Sequence, residues 1–157
     1  MKSRNKTLQL LDHKANQFAQ STSSRFPLEK PIERFNKPND IDFRQDPSEG
    51  PFIEWLVGSL PSSGTILDVG SGDGRLAKRL RQNGVQVTCL EPASHRAAEL
   101  RQQGFSVFEG RFLEYSFEEI FDTVLFCRSI GLAALQDGKV QLSKALNRSA
   151  ELSCGTI

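Results

Sequence analysis

A chain of 157 residues, 38% of them hydrophobic and 25% charged, is one domain's worth of polypeptide, long enough to bury a substantial core and too short for two domains. The formal net charge of +1 argues neither for nor against nucleic acid as a partner, and no apolar run approaches the roughly eighteen residues that would suggest a membrane span. Cys89, Cys127 and Cys154 are odd in number and far apart, with no C-x-x-C pair; this argues against a disulfide framework or a zinc site and for a reduced, cytoplasmic compartment.

The N-terminus, Met1 to Leu11, begins basic but has no sustained apolar stretch, so no export signal is expected. Leu8, Leu11, Ala15, Phe18 and Ala19 recur at helical spacing and predict a first helix over Lys6 to Ala19. Ser21 to Ser24 break it, and Phe26 to Gln45 holds three prolines with no period, which reads as an irregular connection. Eight basic residues against three acidic ones between Met1 and Lys37 make this arm positive, and on the residues alone it reads as a solvated helix and linker. Residues 1–45 are therefore set apart from a compact domain over 46–157.

That domain opens with a helix carrying Phe52, Ile53, Leu56, Val57 and Leu60 on one face. A start at Pro51, after Gly50, is favoured over one at Asp46-Pro47-Ser48-Glu49, which would leave Pro51 inside the helix. Pro61 to Gly64 closes the helix and leads into T-I-L-D-V-G-S-G-D-G-R-L-A, Thr65 to Ala77. Ile66, Leu67 and Val69 form a short apolar strand. Gly70, Gly72 and Gly74 form a turn, and Leu76 and Leu80 begin an amphipathic helix ending at Asn83-Gly84, with Arg79 and Arg81 facing water. A glycine turn before a helix N-terminus lets backbone meet a ligand at contact distance and presents unpaired N–H groups to it.

Val85, Val87 and Cys89 alternate with Gln86 and Thr88 in a second strand that ends at Leu90-Glu91-Pro92. Ser94 is placed to cap a third helix reaching Gln103, and Gly104 closes it. A third strand over Phe105 to Phe108 follows, then a helical turn over Phe117 to Ile120 and a fourth strand over Thr123 to Phe126. A long helix is expected over Asp137 to Leu152, with Val140, Ala145, Leu146 and Ala150 in its apolar set. Gly155-Thr156-Ile157 reads as the first step of a fifth strand. Alternating strands and helices imply an α/β fold: a Rossmann-like, doubly wound parallel sheet of order 3-2-1-4, ending at the start of strand five, with its crevice between strands one and four.

Spacing narrows the ligand. A dinucleotide turn needs G-x-G-x-x-G, and Gly70 and Gly72 are followed at the third critical place by Arg75. What stands is D-x-G-x-G-x-G from Asp68, with Glu91 twenty-one residues after Gly70 at the end of the second strand, where a carboxylate can accept from both hydroxyls of a ribose. The pattern resembles the class I S-adenosylmethionine-dependent methyltransferases across most of Gly50 to Ile157. The resemblance implies that Gly70, Ser71 and Gly72, within the turn that Gly74 completes, approach the methionine part of the cofactor, that Asp68 holds its amino group, and that Glu91, with Pro92 beside it, binds the ribose. It further implies that Gly110, Arg111 and Phe112 line the adenine. Many members of the family carry an acid where this chain has Arg111, which leaves the Phe112 backbone and ring as the expected contacts. Cys127, Arg128 and Ser129 fall where the family's methyl transfer takes place; Cys127 reads equally as a small buried apolar residue. The N-terminal arm would serve as a lid, with Phe18 as the residue to test.

No catalytic base and no metal ligand set is assigned, and His13 and His95 read as exposed helical residues. The leading expectation is an S-adenosylmethionine-dependent methyltransferase acting on a small-molecule acceptor. The basic arm leaves nucleic acid open but lacks the interleaved aromatics that favour bases. Two other readings stand beside it: a non-catalytic binding module or inactive, truncated fragment, and an NAD-dependent oxidoreductase, which fits Glu91 but not Arg75. The family's fold continues beyond strand four, so a sheet ending there would expose an edge that a partner chain is expected to cover.

Overall fold

The structure is a computed structural model and describes residues 9–10, 12–17, 49–136 and 139–153. Phe18, the connection over 26–45, Cys154 and the expected strand over 155–157 lie outside the described residues. Of the expected first helix, 9–10 and 12–17 are helical. Among the described residues no helix is long and apolar enough to cross a membrane.

Four parallel strands build the sheet: β1 (Thr65–Val69), β2 (Gln86–Glu91), β3 (Ser106–Glu109) and β4 (Thr123–Leu125), in the order β3-β2-β1-β4. The strand order is the expected one, so the winding reverses between β1 and β4. Helices α1 (Glu49–Ser59), α2 (Arg75–Gln82) and α3 (Ser94–Gln102) precede β1, β2 and β3. After β4 come α4 (Ile130–Ala133), a two-stranded antiparallel hairpin of β5 (Leu135–Gln136) and β6 (Lys139–Val140), and α5 (Leu142–Leu152).

Two apolar layers sandwich the sheet, and the period of a strand decides which residue enters which. Ile66, Val87 and Cys89 point into a layer with Ile53 and Val57 of α1, Leu76 and Leu80 of α2, and Leu100 of α3. Leu67, Val69 and Leu90 point the other way, against Phe112, Phe121, Val124, Val140 and Ala145, with Ala15 of the N-terminal helical segment packed at the margin. Covering on both faces explains why β2 is buried at Thr88 as well as at its apolar positions, where alternation alone had put Thr88 outside.

Several boundaries differ from expectation for definable reasons. α1 starts at Glu49, two residues before the favoured Pro51; Pro51 then sits in the first turn, where a missing N–H leaves no intrahelical bond unmade. Ser94 does not cap α3. Ala93 is the N-cap residue, because its N–H donates to the Glu91 carboxylate at 3.0 Å. β3 begins at Ser106 and β4 ends at Leu125, each one residue from the expected limit. Residues 117–120 form no helical turn; the Phe117 ring lies 4.9 Å from Tyr115 and 5.8 Å from Phe108, and this packing takes precedence over local helix propensity.

The largest correction concerns the expected helix over Asp137 to Leu152. Its first part is instead the β5–β6 hairpin, with Leu135 opposite Val140 and Gln136 opposite Lys139. Val140 is buried as a strand residue, Ala145 is buried on α5, and Leu146 and Ala150 are exposed. At the end of α5 the chain returns to the sheet: the Phe121 N–H donates to the Leu152 carbonyl at 2.8 Å, and Ser153 forms a parallel bridge with Phe121. Ser153 thus pairs beside the segment that leads into β4.

Candidate functional site

The carboxyl ends of β1, β2 and β4 converge on the glycine turn. Its backbone is tied to β2, with the Gly70 and Ser71 N–H groups both donating to the Leu90 carbonyl, at 2.8 and 3.3 Å, while the Ser71 hydroxyl donates to the Asp68 carbonyl at 2.8 Å. All three glycines hold positive φ, +76°, +59° and +80° in chain order, and each is glycine for a different further reason. A Cβ on Gly70 would stand 2.7 Å from Cβ of Ser129, and one on Gly74 would stand 2.6 Å from Cδ2 of Leu100. Those two glycines let β4 and α3 close on the turn. A Cβ on Gly72 would come no nearer to protein than 3.6 Å, at Arg96 Nη1. Its missing side chain is not needed for packing, so the space before it is where a ligand can meet the backbone.

Glu91 completes this surface. Its carboxylate is 4% exposed and takes one main-chain N–H on each oxygen, from Gly72 at 2.9 Å and from Ala93 at 3.0 Å. A carboxylate oxygen has two acceptor directions, so each retains one for a hydroxyl. Burial raises the Glu91 pKa, opposed by those two N–H donors and by Arg96 and His95 nearby. His95 is half-buried, less open than expected, and His13 is exposed.

Asp68 lies beneath the turn, 2% exposed, and its Oδ2 is buried without a hydrogen-bond partner. Burial pushes its pKa up to about 7, the Ser71 hydroxyl working against the shift and the Glu91 charge with it. An orphaned carboxylate oxygen is costly to retain and suits a cationic ligand group that would satisfy it. Pro92 is half-buried beside Glu91. Cys89, under the same loop, is fully buried, and burial pushes its thiol up to about 12, which makes it an inert packing residue.

The remaining expected site residues are placed less uniformly. Arg111 is half-buried and its guanidinium pairs with Glu114 at 3.2 Å. The Phe112 ring is 2% exposed and sits edge-on to Phe126 at 5.1 Å. The ring expected to face an adenine is thus committed to the core, leaving its backbone toward the loop. Cys127 is half-buried and packs against the α1–α2 layer.

Two features had no sequence signal. The Ser129 hydroxyl, buried, donates to the Val69 carbonyl, pinning the exit of β4 to the end of β1. Arg128, exposed, takes φ +59° without being glycine, a conformation rare for a residue with a Cβ. Its guanidinium carbon lies 5.5 Å from the centre of the Phe52 ring on α1.

Comparison with known proteins agrees with this layout. The sequence profile of a family described as a methyltransferase domain matches residues 67–147. The YqeM protein of Bacillus subtilis (strain 168), which its name assigns provisionally to the methyltransferases, is 31% identical over 82 residues, covering 48% of this chain and 33% of that protein. Among solved structures, the N-methyltransferase NodS from Bradyrhizobium japonicum WM9, in complex with S-adenosyl-L-homocysteine, superposes with a TM-score of 0.65 at 20% identity over 81% of this chain and 68% of its own. Coclaurine N-methyltransferase bound to N-methylheliamine and S-adenosylhomocysteine superposes at 0.60 and 16% identity over 97% of this chain and 50% of its own. The chain therefore spans about a third of the curated relative it matches and half of the coclaurine enzyme; at these identities the solved structures speak for the fold.

Proposed function

This chain belongs to the methyltransferase-domain family, and from that premise we propose that it binds S-adenosylmethionine across the carboxyl ends of β1, β2 and β4 and transfers its methyl group to a small-molecule acceptor. The observation that carries the reading is the junction of Gly72 and Glu91: a backbone N–H held on a buried carboxylate, beside a glycine whose absent side chain no protein group requires.

The residues fit the cofactor group by group. Glu91 keeps a free acceptor direction on each oxygen for the two ribose hydroxyls. Asp68, with an orphaned oxygen, would hold the ammonium group of the methionine part. Gly70 to Gly72 supply backbone with no Cβ in the way at position 72. The backbone of Phe112 and the Arg111 side chain would border the adenine.

When bound, the cofactor supplies an electrophilic methyl carbon on a sulfonium. An acceptor's lone pair would displace sulfur from that carbon, the sulfur leaving with the electron pair of the carbon–sulfur bond. What this chain contributes is alignment and exclusion of water. Ser129 fixes the end of β4 against β1, so the crevice wall is rigid where donor and acceptor must lie in line. The segment after β4, Phe126 to Ser129, carries no carboxylate or imidazole, which suits an acceptor that reaches the site with its lone pair already available. We place this chemistry in the cytoplasm, in keeping with the free thiols of Cys89 and Cys127, and we assign the remaining edge of β4 to a further strand, from residues after Ser153 or from a partner chain.

Calorimetric titration with S-adenosylhomocysteine tests the reading: micromolar binding is expected, and no heat or melting shift at high micromolar ligand would end it. A thermal-shift comparison with NAD separates it from the oxidoreductase reading, since Arg75 replaces the third glycine that a pyrophosphate needs.

A further inference from the structure

We propose that Arg96, in the first turn of α3, is the positioning residue of the ribose-binding carboxylate: its charge keeps Glu91 ionised, and so an acceptor on both oxygens, in the buried place where it meets the cofactor. This rests on the methyltransferase reading of the site above. Three stretches of chain meet there. The Gly72 N–H of the turn donates to one Glu91 oxygen at 2.9 Å. The Ala93 N–H, at the start of α3, donates to the other at 3.0 Å, and half-buried Arg96 brings Nη1 to 3.6 Å from where a Gly72 Cβ would stand. Gly72 thus has the Glu91 carboxylate on its N–H and the Arg96 guanidinium beside its open side.

Helix energetics do not account for an arginine here. A cation in the first turn opposes the helix macrodipole, and α3 carries no acid in that turn to offset it. Glu91, 4% exposed, does account for it. Burial disfavours the charged carboxylate and a nearby opposite charge restores it; Arg96 and His95 both act on Glu91 in that sense, against its burial. The influence comes from the charge, so it holds whatever groups the guanidinium N–H donors bond. The other charges around Glu91 are like-signed or paired. Asp68 on β1 and Glu91 disfavour each other's charge, and Cys89 stays a neutral thiol. Asp73 in the turn pairs with Arg75 at 2.9 Å, and Glu109, in register with Glu91 on β3, pairs with Arg101 at 3.0 Å. A protonated Glu91 would give up one of its two remaining acceptor directions to the proton, leaving one fewer than the two ribose hydroxyls need.

Calorimetric titration of the full chain with S-adenosylhomocysteine at pH 8 and at pH 5 tests this, with thermal melts showing that each protein is folded at both. Arg96→Met keeps an unbranched stem and removes the charge. Its affinity is expected to lie within twofold of the unaltered protein's at pH 8, where Glu91 is ionised in both. At pH 5 it is expected to lie at least threefold below, because Glu91 without the cation takes up a proton at higher pH. Arg96→Lys should stay within twofold at both. Asp68 and His95 are present in all three proteins, so the differences between them isolate position 96. In a Glu91→Gln background, with no charge left to hold, Arg96→Met should change nothing at either pH. An equal loss at pH 8 and pH 5 overturns the proposal, since a packing role or a direct ligand contact would give it. So does the absence of any loss at pH 5, a loss there that Arg96→Lys shares, or tighter binding by R96M, which would mean that the guanidinium occupies the ligand's space. Should R96M fail to fold, Arg96→Gln takes its place and the same outcomes decide. Failure of the unaltered protein to bind S-adenosylhomocysteine at pH 8 would remove the cofactor reading and this inference with it, whereas binding with no pH-dependent difference in R96M removes this inference alone.

Discussion

At their amino ends, β1 and β4 are joined by Thr65 and Asp122: the Thr65 N–H and hydroxyl donate to Asp122 Oδ2 at 2.7 and 3.0 Å, and the Asp122 N–H donates back to the Thr65 hydroxyl at 3.0 Å. At their carboxyl ends the same two strands carry a buried Asp68 with an orphaned oxygen, a non-glycine residue at positive φ, and a glycine facing open space. Both ends contain a carboxylate and a hydroxyl. At one end the acid's hydrogen bonds are met by its neighbours and the join is structural; at the other they are left open, and the departures from local comfort gather where a ligand would supply what is missing.

The contrast would break most visibly at Gly72. Gly72→Val should lower S-adenosylhomocysteine affinity more than a hundredfold, because its branches enter the open space, while the nearest protein atom to a Cβ there is 3.6 Å away and the fold persists with a backbone penalty of about 1–3 kcal/mol. Calorimetry beside thermal melts checks both halves; collapse of the fold would show that the glycine serves packing instead. Glu91→Gln keeps the shape and removes the charge. A loss of roughly ten- to a hundredfold in affinity is expected, in line with about 1.5–3 kcal/mol for hydrogen bonds to a charged group, and an unchanged dissociation constant would take Glu91 out of the site.

The opposite end should respond in the opposite way. Asp122→Ala should reduce stability by about 1–3 kcal/mol, read from denaturant midpoints, and leave S-adenosylhomocysteine affinity within twofold. The smallest effect sharpens the comparison by pH. Asp68 is raised from 3.8 to about 7 by burial, so the folded state holds a proton that the unfolded chain releases. That contribution to stability is whole below pH 3.8 and is lost as pH rises through 7. Asp68→Asn should therefore flatten the fall in melting temperature between pH 5 and pH 8. In the unaltered protein a ligand ammonium over Asp68 would draw its pKa back down, so binding at pH 7 should release protons, seen as a dependence of the binding heat on the buffer's ionisation enthalpy.

The parts of this layout that could be read from the sequence are those set by period and by glycine. Ile66, Leu67 and Val69 mark β1 because alternation places them on two covered faces, and D-x-G-x-G-x-G with Glu91 locates the turn because only glycine accepts those φ values cheaply. Long-range packing was less visible. Residues 117–120 lose their turn of helix to the contacts of Phe117 with Phe108 and Tyr115, half-buried rings gathered at the margin of the core. The β5–β6 hairpin did have a local signal in Asp137-Gly138, a dipeptide suited to a two-residue hairpin turn, but helical spacing around Val140 and Ala145 outweighed it. The positive φ at Arg128 had none, because the bond that holds the adjoining Ser129 is to Val69 on the neighbouring strand, 60 positions away.

The N-terminal helical segment illustrates a consequence in time rather than in space. Asn16 accepts from the Val140 N–H at 3.0 Å and donates to its carbonyl at 2.8 Å, so one side chain serves β6 as a neighbouring strand would, while Asp12 accepts from the N–H and hydroxyl of Ser143 at the start of α5. These partners are separated by 124 and 131 positions in the chain. During synthesis the residues that dock this segment are made well after the segment itself. It must leave the ribosome with its docking surface not yet in existence and wait while the four-stranded sheet assembles behind it. Its helix needs no distant partner, since its bonds are local, whereas its docking at Val140 and Ser143 has to wait until β6 and the start of α5 have been made.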